Sequence, residues 1–268
     1  MAKYKKKRAR ELQHDRFRDT TMSFFDRLGN SLEGRGRSTL YLLGGLLLAG
    51  LLVLAFVRWS NKKSNEARQA IGRAITISRG QVSTTPIPGS TELTFATDSE
   101  RAQRAIDEFE KVAAKYGDPY KSESRYFIAS NRLVVDRQKG ISELAELQNS
   151  NVGEVAALSK FALAQAYESD GKLDDAARLY SELAKLNSPT VTAETANLRL
   201  AKVYEKQEKK KEAADLLFNI VDASRKAKGS DNQPLPQSSA AREAADELKK
   251  LDPDRYAQLP PETPVLAG

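Results

Sequence analysis

The 268 residues contain no cysteine and a single histidine, His14. Without thiols there is no disulfide framework, no thiolate metal site and no cysteine nucleophile. With one histidine, set among the charges of the N-terminal stretch, a folded domain has no imidazole pair for a metal and no serine–histidine relay. An HExxH pattern and a phosphate-cradling glycine loop are missing as well. The chain is therefore expected to be a non-enzyme with no cofactor and no metal. Its acidic groups do not alter this: Asp174, Asp175 and the run YEKQEKKKEAAD fall on helical segments, where such charge is a solvated face with i, i+4 pairs. Alternation of apolar and polar residues is also lacking, so no strand is expected. The lack of cysteine fits either side of a bacterial inner membrane.

What the sequence does have is a long apolar run. Residues 39–57, TLYLLGGLLLAGLLVLAFV, hold nine leucines and no charge over nineteen positions. As a helix they span roughly 28 Å, against roughly 30 Å for the hydrocarbon core of a bilayer. At about −0.3 to −0.6 kcal/mol per large apolar residue, insertion is favoured by several kcal/mol before Gly44, Gly45 and Gly50 offset part of it. Cleaved signal peptides carry a shorter apolar core of about 7–15 residues and a small-x-small site. Here Phe56-Val57-Arg58-Trp59 follows instead. A transmembrane helix over 39–58 that stays in the protein is expected. Tyr41 and Trp59 lie near its ends, where aromatic rings favour the interface, and Gly45 with Ala49 offers a small-residue face.

Charge is split by this run. Residues 1–38 carry eleven Lys and Arg against five Asp and Glu, a net +6 that leaves only +1 of the total +7 for everything after the run. The basic tail, opening KYKKKRAR, resists translocation, whereas a long C-terminal domain crosses whatever its charge. Close to the run the balance is nearly even: Arg27, Arg35 and Arg37 before it, Arg58, Lys62, Lys63 and Arg68 after it. The expected topology is a cytosolic N-terminus and a periplasmic C-terminal domain, in the bacterial inner membrane. Residues 3–10 suit anionic lipid headgroups, with no signal for specific nucleic acid recognition.

Helical period governs the rest. Met22, Phe25, Leu28 and Leu32 suggest a short interfacial helix, and Ala67, Ala70, Ile71, Ala74 and Ile75 a juxtamembrane one within 59–97. Residues 80–98 read as a loop. Ala102, Ala105, Ile106, Phe109, Val112, Ala113 and Tyr116 then share a helical face that Gly117-Asp118-Pro119 ends. Later breaks are expected at Gly140, 149–153, Gly171, 188–189 and 229–236. The fold class is all-α.

Two segments repeat. Leu163, Ala164, Tyr167 and Ala176 recur 37 residues on as Leu200, Ala201, Tyr204 and Ala213. A small residue lets the paired helix approach, an aromatic fills the space one turn later, and a second small residue meets it from the partner. One such pair cannot bury its apolar face alone, so neighbours must stack into a solenoid. The pattern resembles the tetratricopeptide repeat, whose period is about 34 residues. The extra length is expected at 187–192. Ala105, Ile106 and Phe109 fit the second helix of an earlier copy. Gly140 and Ala145 fit the turn and small contact of another, whose first helix (122–135) matches poorly. Ala240, Ala241, Ala244, Ala245, Leu248 and Leu251 fit a capping helix.

With FFDRLGN before the apolar run and LAFVRWSNKKSNEARQA across its exit, the layout resembles the YfgM-like ancillary subunits of the Sec translocon. That resemblance implies partners among the translocon and periplasmic chaperones. The tetratricopeptide resemblance implies a concave face lined by the first helix of each pair. By position this gives Leu158, Phe161, Gln165 and Glu168 in one copy and Thr195, Leu198, Lys202 and Glu205 in the next, with core packing the competing role for Phe161 and Leu198. The Lys and Asn pair with which some family members clamp a C-terminal carboxylate is not evident. The domains expected are a basic tail (1–38), a transmembrane helix (39–58), a juxtamembrane helix and linker (59–97), a repeat domain (98–251) and a flexible tail (252–268). The function expected is a membrane-anchored scaffold for protein export or envelope assembly. The alternative is a structural or regulatory protein whose basic tail binds anionic lipid or ribosome.

Overall fold

The computed structural model describes residues 36–83, 93–186, 188–230 and 232–262. The basic run 3–10, the interfacial helix read around Met22 to Leu32, residues 84–92 of the expected loop and residues 263–268 lie outside them. The chain divides into two compact units, Met1–Asn65 and Glu66–Gly268. Helix α1 (Gly36–Ser78) begins in the first and ends in the second. No proline interrupts it, and among the described residues it is the one helix long and apolar enough to cross a membrane. In the first unit every residue from Tyr41 through Trp59 is exposed. At the end of the apolar stretch the Phe56 and Trp59 rings lie 6.2 Å apart, and Lys63 Nζ sits 3.9 Å above the Trp59 ring.

In the second unit the stripe on α1 does what its spacing requires: Ala67, Ile71 and Ala74 are buried. A short parallel ladder follows, β1 (Gln81–Val82) on β2 (Thr94–Phe95), with Gln81 opposite Thr94. This corrects the strand-free expectation. Two-residue strands have no alternation to read, and the ladder is fixed by chain return, with the Phe95 ring lying against Gly80.

Nine helices succeed it among the described residues: α2 (Asp98–Lys115), α3 (Tyr120–Val135), α4 (Arg137–Leu147), α5 (Gly153–Ser169), α6 (Leu173–Lys185), α7 (Ala193–Lys206), α8 (Lys210–Lys226), α9 (Ser239–Leu251) and α10 (Pro253–Tyr256). Side-chain oxygens of Thr97, Asp136, Thr192, Ser238 and Asp252 accept from backbone N–H groups at the starts of five of them, which would otherwise be unpaired. Consecutive helices from α2 onward pack on each other, and α3 with α5 and α7 with α9 also touch, which puts alternate helices in the same layer.

Among the described residues the core is a series of three clusters. The first joins Ile71 and Ala74 of α1 to Phe109 of α2 and Ile128 of α3. The second runs from Ala129 of α3 to Val203 of α7, and the third from Leu198 of α7 to Leu259. Each hands over to the next within one helix, the arrangement of a stacked repeat in which every unit meets only its neighbours. The fold is a helical repeat, a stack of packed helix pairs.

The two central turns match in detail. Gly171 has φ 73° and Glu208 φ 59°, and after each the next N–H reaches back five residues, Lys172 to Tyr167 and Lys209 to Tyr204, both at 2.9 Å. This is a Schellman closure, which needs a left-handed residue at its centre. The Lys172 and Lys209 ammonium groups lie 5.4 and 5.5 Å from the rings of Tyr167 and Tyr204. The extra length falls between α6 and α7, where Ser188 Oγ accepts from the Thr190 and Val191 amides and Val191 is buried.

Two expectations are corrected. Gly140 is not a turn but a buried position inside α4, and the break lies at Asp136, which ends α3 and caps α4. Gly140, not the partly buried Ala145, is the small contact: it stands four residues after its cap, as Ala176 and Ala213 do after Lys172 and Lys209. Fully buried Ala129 faces it, so this copy has one residue fewer between its small contacts than Ala164–Ala176. That deletion hid the match. The tail is corrected in part: α10 and Leu259 dock on the last pair, with Arg225 donating to the Pro260 carbonyl at 2.5 Å and Arg255 paired with Asp215.

A Cβ on Gly140 would stand 2.7 Å from the Leu133 nitrogen and 2.9 Å from the Ala129 oxygen, both backbone atoms. Gly140→Ala should therefore lower stability by about 1–3 kcal/mol, overriding the ~1 kcal/mol that alanine normally gains in a helix. Gly72→Ala, with nothing within 4 Å, should instead raise it. Thermal unfolding followed at 222 nm decides both. In the same assay Glu208→Gly should gain about 0.5–1 kcal/mol by relieving the left-handed backbone, less a small loss of the exposed Glu208–Lys210 pair at 3.6 Å.

Candidate protein-binding surface

The eight residues expected on the first-helix face meet different fates, because α5 and α7 each have neighbours on both sides. In α5, Leu158 and Phe161 are partly buried against the central cluster, and the Phe161 ring meets Tyr180 edge-on at 5.8 Å. Gln165 is exposed. Glu168 is largely covered, accepting from Tyr180 Oη at 3.1 Å and from Lys206 Nζ at 2.5 Å. Burial first, and the Glu168 charge next, push the Tyr180 hydroxyl well above the ordinary phenol range, so it remains a donor.

In α7, Thr195 shares a hydroxyl contact of 2.9 Å with Thr192 at the helix start. Leu198 is 4% exposed and belongs to the C-terminal cluster, so it is withdrawn from any partner. Lys202 is paired with Glu243 of α9, whose carboxyl is held low by that hydrogen bond. Glu205 is partly buried, and its Oε1 has no hydrogen-bond partner. Burial first, and the nearby Glu247 charge next, raise its pKa.

Lys206–Glu168 thus ties α7 to α5, and Lys202–Glu243 ties α7 to α9. The 37-residue register explains why Glu205 is left over. Tyr180 and Lys206, which satisfy Glu168, correspond to Leu217 and Glu243, neither of which can donate to Glu205. Tyr180, Lys206, Glu243 and Arg137 were not among the expected residues. Arg137 locks α4 to the end of α5 through Asp170, Ser169 and the Ala166 carbonyl. Comparing the copies position by position would have shown the lost hydroxyl at Leu217, though not where Arg137 reaches.

What remains open on this face is Gln165 and the half-exposed edges of Leu158, Phe161, Thr195 and Glu205. A separate open groove of about 510 Å³ is lined by none of the eight; it lies at the start of α5 between Gln148, Glu154, Leu186 and Pro189, where Lys160 is held by Glu182 at 2.7 Å. Among the described residues no three His, Cys, Asp or Glu side chains are grouped to hold a metal ion.

No known family model and no curated protein matches the chain. Among solved structures it is similar to the nearly identical TPR-like repeats of a kinesin-light-chain-like protein of Podospora anserina, at 16% identity and a TM-score of 0.49 over 72% of this chain and 88% of that one. A single-substitution variant of that protein gives the same values.

The raised pKa of Glu205 has a definite sign. A carboxyl that holds its proton more tightly when folded weakens folding at neutral pH, and the penalty disappears below the ordinary Glu range near pH 4.3. Glu205→Gln should raise the thermal midpoint at pH 7, with the gain fading to nothing by about pH 3. An equal gain at both pH values would show that the carboxylate charge is not its source.

Proposed function

We propose that this chain is a single-pass scaffold of the bacterial inner membrane whose first-helix face binds other proteins, as an ancillary factor for protein export or envelope-complex assembly. The observation that carries the reading is the stretch 41–57 of α1, apolar and exposed on every side. A protein in water rarely leaves so large an apolar surface uncovered, and a bilayer covers it without any partner chain. The basic tail before it supports a cytosolic N-terminus and a periplasmic repeat domain. TPR-like repeats generally mediate protein–protein interaction, and the layout resembling YfgM-like subunits supports the Sec translocon and periplasmic chaperones as partners. The competing reading, a regulatory protein working through the basic tail on anionic lipid or ribosome, draws on the run KYKKKRAR.

The test is in membranes. The full chain should stay in the pellet after alkaline carbonate. A photo-crosslinker at exposed Gln165 should capture a translocon subunit or chaperone, and one at Arg178 of α6, 57% exposed, should not. Release by carbonate would sink the anchor, and identical adducts at both positions would sink the first-helix face. Adducts that vanish on deleting residues 2–20 would favour the tail.

A further inference from the structure

We infer that Arg58, Trp59, Lys62 and Lys63 form a binding site for anionic phospholipid headgroups at the domain-side end of the apolar helix, an inference that rests on the membrane reading above. At 3.6 residues per turn the four side chains fall within an arc of roughly 140° on α1. All are exposed. The Trp59 ring has Phe56 at 6.2 Å and the Lys63 ammonium over it at 3.9 Å, so one apolar body carries a cation on its ring. Rings of this kind settle at the headgroup level.

The charge is uncompensated. No Asp or Glu occurs between Glu33 and Glu66. Glu66, the first acid beyond, lies 3.9 Å from Lys115, and among the described residues none of Arg58, Lys62 and Lys63 is paired with a carboxylate. Rise along the helix from Val57 to Lys63 is about 9 Å, somewhat more than the depth of the polar layer on one side of a bilayer, roughly 5–7 Å. Arg58 therefore stands within the polar layer, and the long side chains of Lys62 and Lys63, a turn further out, reach back toward phosphate level. They also work against the orientation that the basic tail sets, since positive charge favours the cytosolic side. Headgroup binding gives cations on this side a role that topology does not. A lipid occupant fits better than an acidic protein, because the same face is continuous with the apolar stretch and carries the interfacial ring.

Trp59 is the sole tryptophan, so its fluorescence reports this site alone. The full chain is reconstituted into phosphatidylcholine vesicles containing equal mole fractions of either dibrominated phosphatidylglycerol or dibrominated phosphatidylcholine. Dibrominated phosphatidylglycerol should quench Trp59 as though bound about fivefold more tightly, the factor that a single Lys or Arg supplies near an anionic surface. The preference should vanish in the triple variant Arg58→Gln, Lys62→Gln, Lys63→Gln, survive in Lys62→Arg, Lys63→Arg, and shrink at high salt. Equal quenching by the two lipids overturns the site and leaves the membrane reading standing. Quenching by neither overturns both. A preference unchanged in the triple glutamine variant overturns the site as well, placing the selectivity elsewhere in the chain.

Discussion

Close approach of paired helices at small residues is the constraint on which the domain rests. Ala164 with Ala176, Ala201 with Ala213 and Ala129 with Gly140 stand in paired helices, each of them buried, and a Cβ on Gly140 would come within 2.9 Å of the Ala129 oxygen. Dispersion attraction falls off within a fraction of an ångström, so a larger side chain at any of these points would part the helices and forfeit contacts along their length. Spacing between small residues therefore sets where each turn falls. The turns in their turn fix which residues of α5 and α7 face outward. A partner sees only what this packing leaves over.

That remainder is smaller than a count of first-helix residues suggests. Neighbouring first helices are held by Lys206–Glu168 and Lys202–Glu243, which occupy charges that would otherwise be offered to a ligand. Partly exposed ion pairs contribute little to stability one by one, and what these two add is a link between successive repeats. Glu205 is the exception that follows from the repeat itself, a carboxylate whose two donor positions are held by Leu217 and Glu243.

Helix α1 carries two kinds of surface on one backbone. Its first part is apolar all round, the composition that suits lipid. From Ala67 onward it narrows to a stripe that packs with α2 and α3, and Ser78 Oγ donates to Asn131 Oδ1 at 3.1 Å. Between the two lies the cationic and aromatic turn at 58–63. The change from uniform to one-sided hydrophobicity needs no proline or glycine break, only a change in which positions are apolar.

Local chemistry alone determined much of this protein. An uncharged run of this length, helical period, a polar cap before a helix and a left-handed glycine after one are all settled within a few residues, so the all-α class, the apolar helix, the Gly171 turn and the two central repeats were legible in order. Gly140 was misread because glycine at a turn and glycine at a close contact look alike until the facing Ala129 carbonyl is known. The two-residue ladder, the docking of residues 253–259, the burial of Leu198 and the pairing of Glu168 with Tyr180 and Lys206 were decided by tertiary structure. Each joins groups from separate elements, some close in sequence and others dozens of residues apart, and a contact of that kind exists only once the intervening helices have stacked.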